Sequence, residues 1–179
     1  MNQEFTAPSR KLLAERLAGL HRCGYFLGCS SKKIDWPLSG EFLKSRNKDL
    51  SMFECLSAIN ERFAKLQDIL GSAMRQSMIL SGAPEESFLR ILAFYEKQGV
   101  IASVDDWIAC RALRNLATHE YATDYDRIAQ HFNELRHFIP GLLQGSARFI
   151  DYCASELGAT PDDETFSEEF TEVLHAFQE

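Results

Sequence analysis

Between Trp107 and Tyr121 the chain reads WIACRALRNLATHEY, which gathers two arginines, an amide, a hydroxyl, an imidazole and a phenol into about four helical turns. A histidine with an ordinary pKa of about 6.5 takes or gives a proton near neutral pH. An arginine presents a planar fork of donors to an oxyanion and opposes negative charge as it builds. On an ideal helix with Arg111 at 0°, Arg114 falls at about 300°, Asn115 at about 40°, Thr118 at about 340°, His119 at about 80° and Tyr121 at about 280°. Ala109, Ala112, Leu113, Leu116 and Ala117 fall on the other arc, which predicts a small apolar face for close packing. Arg114 and His119 are about 140° apart on that wheel, so spacing alone does not join them. An unwound final turn, or a second subunit, would. A solvated polar face accounts for the same residues without chemistry, and a histidine near a helix C-terminus is also a favourable partner for the helix dipole.

The elements that must position these residues are all helical. Met52, Leu56, Ile59, Phe63, Leu66, Leu70 and Ala73 recur at alternating four- and three-residue steps, which predicts a helix over about 48–79 as the spine of an antiparallel bundle. An earlier helix, about 8–27, presents Leu12, Leu13, Leu17 and Leu20. The segment from Gly28 to Asp49 reads as a long connection with a short helical turn around Glu41–Lys44, and Trp36-Pro37 as its core plug. Pro84 suits the first turn of a helix over about 84–97, ended by Gly99. Ser103 followed by Asp106 has the form of an N-cap with an acid three positions on, launching a helix over about 104–120. A last long helix, about 124–155, carries Pro140, which should kink or break it. The expected fold is all-α: an antiparallel up-and-down bundle of four to five main helices over 1–160, plus an acidic amphipathic helix over 161–179.

Composition narrows the class. The chain has 179 residues, 45% hydrophobic and 25% charged, as expected for one globular domain. No signal peptide is expected at the N-terminus, and no segment has the apolar length of a membrane span, so the expected location is cytoplasmic. Net charge is −7. Asp162, Asp163, Glu164, Glu168, Glu169, Glu172 and Glu179 supply all of it, with no Lys or Arg among residues 161–179. The body of the chain is therefore neutral, and any nucleic-acid binding must be local. Five scattered cysteines, without a CxxC pair, read as free thiols rather than a zinc site or a disulfide frame. His131 and His137 fall on different faces of their helix and make poor joint ligands. No metal and no cofactor is expected.

Arg114-Asn115-Leu116-Ala117-Thr118-His119-Glu120-Tyr121 resembles the HEPN signature, in which Arg is followed after four to six residues by His. The His-x-Tyr ending is similar to the toxin half of HEPN/minimal-nucleotidyltransferase toxin–antitoxin pairs, the HepT-like proteins. SFLRILAFYEKQGVI resembles the helix and turn that precede the signature helix there, so the likeness covers roughly residues 50–140. It implies a dimer of helical bundles whose motif helices line a shared cleft, and metal-independent cleavage of RNA. His119 would then exchange protons with the 2′-hydroxyl and the leaving 5′-oxygen, Arg114 would stabilise the phosphorane-like transition state, and the product would be a 2′,3′-cyclic phosphate. Asn115 would orient His119 or the phosphate, or simply sit on the helix surface; Thr118 would support the site. Arg111 would widen the phosphate contact, or else pair with Asp105 or Asp106. Tyr121 would accept AMP from a nucleotidyltransferase antitoxin, or else pack the helix end. The alternatives are a non-catalytic HEPN module partnering a nucleotidyltransferase, and a helical adaptor. The acidic tail would cap the bundle, strap a dimer or mask the cleft.

Overall fold

The computed structural model of the chain describes residues 3–84, 86–115 and 124–177, and the side chains of 7–84, 86–114 and 124–177. Among these it is all-helical, with α1 (Gln3–Ser31), α2 (Gly40–Ser45), α3 (Leu50–Leu80), α4 (Phe88–Lys97), α5 (Val104–Asn115), α6 (Tyr125–Leu157) and α7 (Ser167–His175). No described helix is long and apolar enough to cross a membrane.

The α3 stripe forms the spine. Leu56, Ile59, Phe63, Leu66, Leu70 and Ala73 are buried, and Met52 packs at the margin. Against it α1 lays Leu13, Leu17, Leu20 and Leu27, all fully buried; Leu12 instead points outward. The two helices run antiparallel, because Arg16 donates to Ser72 O (3.0 Å) while Cys23 lies against Arg62 O and Cys55 against Ser30 O. Arg10 reaches the far end of α6 at Leu157 O and Leu143 of α6 lies at Gly24, so α1 opposes α6 as well. Trp107 lies at Gly71 while Arg114 reaches back to Ala64 O, so α5 runs along α3 in the opposite sense. The directions of α1, α3, α5 and α6 thus alternate, and α4 bridges α3 to α5.

Caps decide where the shorter elements begin. Asp49, Ser87, Ser103 and Asp124 each accept a backbone N–H three residues on. The expected start at Pro84 is therefore corrected: α4 begins at Phe88, because Ser87 supplies the cap and Pro84 lies in the preceding turn. Of the kink or break expected at Pro140, the break is also corrected, since α6 continues through it. A proline inside a helix costs about 3 kcal/mol. Leu135, Ile139, Leu142 and Leu143 around it are buried, each worth about 1.5–3 kcal/mol, so packing outweighs the lost hydrogen bond. Gly158, at φ 56°, takes the left-handed conformation that ends α6.

The long connection is pinned rather than loose. Trp36 Nε1 donates to Ser31 O (2.8 Å), Leu38 N donates to Asn133 Oδ1 (2.8 Å), and Asn133 Nδ2 donates to Leu38 O (2.9 Å). All five cysteines are free; burial pushes the thiols of Cys110 and Cys153 up to about 12 and that of Cys23 up to about 11.

The acidic helix α7 packs on α1 and α6. Phe170 and Val173 are buried there, over Gly24 and Gly28; a Cβ built at either glycine would fall 2.3 Å from the opposing side chain. His21 lies in the same seam, 5.3 Å from the Phe170 ring, and its Nδ1 has no hydrogen-bond partner among the described residues. Burial lowers its pKa below 6.5, against a smaller opposing pull from Glu164. The unfolded chain therefore binds a proton at His21 more readily than the native one. Its contribution to stability is complete above about pH 6.5 and is lost as pH falls through that value toward the lower native pKa. Urea midpoints measured between pH 7.5 and 5 should fall more steeply for the native sequence than for His21→Leu. Equal slopes would mean that the imidazole is not titrating in the seam.

Candidate functional site

Arg114 sits in the last described turn of α5, where the helix crosses α3. The face that α5 buries carries Trp107, Cys110 and Leu113, with Arg114 half-buried beside them. This corrects part of the expected packing arc: Leu113 is buried as expected, Leu116 and Ala117 lie outside the described residues, and Ala109 and Ala112 are exposed, because an indole, a thiol and a leucine remove more apolar surface from water than two alanines do. Arg114 consequently turns toward α3. Its side chain is 19% exposed, ion-paired to Asp68 at 2.5 Å, with a weaker contact to Ala64 O. Arg114 is therefore not a freely solvated surface cation.

Around that pair lies a polar cleft of about 310 Å³ between α3 and α5. Arg114 and Arg111 line it from α5, and Asp68 and Arg75 from α3. Its base is Gln67, 2% exposed, whose Nε2 donates to Trp107 O (3.0 Å) and whose Oε1 has no partner among the described residues. Gly71 admits the rings of Phe88 and Trp107 to within ordinary reach of the α3 backbone; a Cβ there would stand 3.1 and 3.2 Å from them. The Arg75 guanidinium lies 4.4 Å above the Phe88 ring, a cation–π contact that fixes it at the cleft wall. Three guanidinium groups face one carboxylate, a local charge of +2 on a body that is neutral outside its acidic C-terminal stretch. Chemically, the arrangement suits a tetrahedral or planar oxyanion.

Of the residues singled out from sequence, Arg111 and Arg114 come together in this cleft. Arg111 is exposed and has no acidic partner among the described residues; the alternative pairing with Asp105 or Asp106 is not formed. Thr118, His119 and Tyr121 lie outside the described residues, as does the Asn115 side chain. Sequence reasoning passed over Gln67, Asp68 and Arg75. The available signal was a set of polar residues in steps of three to four flanking the Leu66–Leu70–Ala73 stripe, and it does not reveal that α5 lies across them. Among the described residues no cluster of His, Cys, Asp and Glu has the makings of a metal site.

A second cavity, about 170 Å³ between α5 and α6, is mostly apolar and is lined by Trp107, Cys110, Phe138 and Leu142. Its polar side chains are Ser103, Asp106 and His137, and no arginine or lysine lines it. Comparison with protein-family models, with curated proteins and with solved structures finds no match to the chain.

Proposed function

We propose that the chain is a metal-independent endoribonuclease toxin of the HEPN, HepT-like class, acting as a homodimer and neutralised by a nucleotidyltransferase-type antitoxin. The observation that carries the reading is that Arg114, the first residue of the Arg-x4-His motif, turns into a cleft with two further arginines. In this reading Arg114 leaves Asp68 for the scissile phosphate, His119 moves the proton of the attacking 2′-hydroxyl, and a second subunit's imidazole protonates the leaving 5′-oxygen. Asn115 and Thr118 hold the imidazole and phosphate in register. Tyr121 is the site at which the antitoxin adds AMP, whose negative charge opposes an RNA phosphate. The exposed run Ile108, Ala109 and Ala112 on α5 supports the homodimer: small side chains let a second helix approach closely, and Ile108 is 50% exposed.

The Arg114–Asp68 ion pair favours a second reading, in which Arg114 is structural and the chain is a non-catalytic HEPN module that partners a nucleotidyltransferase. Inducible expression of the wild type, Arg114→Ala and His119→Ala, with growth and bulk RNA integrity followed together, separates the two. Arrest and RNA loss confined to the wild type support the nuclease. Identical behaviour of all three favours the binding module.

A further inference from the structure

We infer that Arg75 and Arg111, one on each wall of the α3–α5 cleft, form a phosphate-holding subsite for the RNA strand, separate from the scissile-phosphate role of Arg114. The inference deepens the ribonuclease reading and rests on it for the identity of the ligand. The geometry points to it in three ways. Arg75 and Arg111 are exposed, line one cleft, and lack acidic partners among the described residues, whereas Arg114 is already engaged by Asp68. Like charges gathered at one cleft repel, and a phosphodiester entering between them relieves that repulsion while accepting charge-assisted hydrogen bonds. Arg75 is also held against Phe88 and its guanidinium is presented on a fixed platform, so little side-chain freedom is lost when it binds.

The buried Gln67 is the second indication of a ligand. Its Nε2 is committed to Trp107 O, which leaves Oε1 as an unpartnered acceptor at the base of the same cleft, a place where native proteins ordinarily satisfy every polar atom. A donor reaching the base, whether a re-aimed guanidinium or a ribose hydroxyl delivered with the phosphate, would satisfy it. Asp68 opposes the ligand by its charge and holds Arg114 until the strand arrives, so the carboxylate sets the affinity threshold of the cleft.

The test is binding of a fluorescent 2′-O-methyl RNA hexanucleotide, which lacks the attacking hydroxyl, to the full chain across a salt series. Arg75→Gln and Arg111→Gln should each weaken binding by about tenfold or more, and the double variant should flatten the slope of log K against log salt by about 0.7, the value for one phosphate of a single strand. Arg75→Lys should recover part of the affinity, and Asp68→Asn should tighten it. Arg90→Gln, a surface arginine paired to Glu86, is the control and should change nothing. Equal binding by the wild type and the double variant overturns the subsite and leaves the nuclease reading standing. Arginine-dependent binding without cleavage of unmodified RNA upholds the subsite and removes the nuclease. Competition by inorganic phosphate with no measurable binding of the hexanucleotide overturns the RNA assignment in favour of a free-phosphate site.

Discussion

His119→Ala protein is expected to cleave RNA about 10²–10⁴-fold more slowly than the wild type, while its thermal transition stays within a degree or two. The range is that of general acid–base catalysis by a single positioned group. Arg114→Ala should lose about 10²–10³-fold by removal of one electrostatic donor, but it should also differ from His119→Ala in a second respect. Removing the guanidinium frees Asp68, so one carboxylate then faces the incoming strand without its counterion. RNA affinity should therefore drop along with the rate for Arg114→Ala, whereas His119→Ala should lose rate alone. Single-turnover cleavage of a short RNA, followed by mass identification of the 2′,3′-cyclic phosphate, measures both. A wild-type rate in the His119→Ala protein would remove the imidazole from the mechanism, and a linear 3′-phosphate formed without a cyclic intermediate would remove the 2′-hydroxyl as nucleophile.

The second large effect lies far from the cleft. Phe170→Ala should destabilise the protein by about 3–5 kcal/mol, the usual cost of deleting a buried phenyl group, and lower Tm by about 10 °C. Phe170 is 2% exposed and packs so closely on Gly24 that a Cβ there would stand 2.3 Å from its ring. Thermal melts of Phe170→Ala beside Phe170→Leu settle the point: the leucine variant should lose distinctly less. A loss below about 1 kcal/mol for the alanine variant would mean that α7 is only loosely seated. The α7 helix is laid on α1 and α6 by its apolar face, and Glu168 and Glu172 are exposed.

The fold was legible where one element's own pattern determines its fate. Long runs of apolar residues at helical spacing defined α3, and the side-chain cap at Ser103 marked the start of α5. Reading failed where a neighbour decides. Pro140 is overruled by the burial of Leu135, Ile139 and Leu143, none of which is visible without knowing that α1 and α3 lie against α6. The alanine face of α5 was expected to pack, but Trp107 and Cys110 take the inward arc because Gly71 of α3 leaves room for the indole. Arg114 was legible from the motif, and Arg111 from its place one turn before it. Asp68, Arg75 and Gln67 were not, since they join the cleft only when two helices separated by about forty residues cross.

The pairing of Gly24 with Phe170 and of Gly28 with Val173 has a consequence for synthesis. During synthesis α1 is completed only by α7, so its apolar notch stays uncovered until Phe170 and Val173 have emerged. Contacts this distant in sequence slow folding, because the loop between them must close before they can form. A nascent chain released early would carry its α1 notch open to chaperones and proteases. A chain that lacks α7 would leave the same notch open for good.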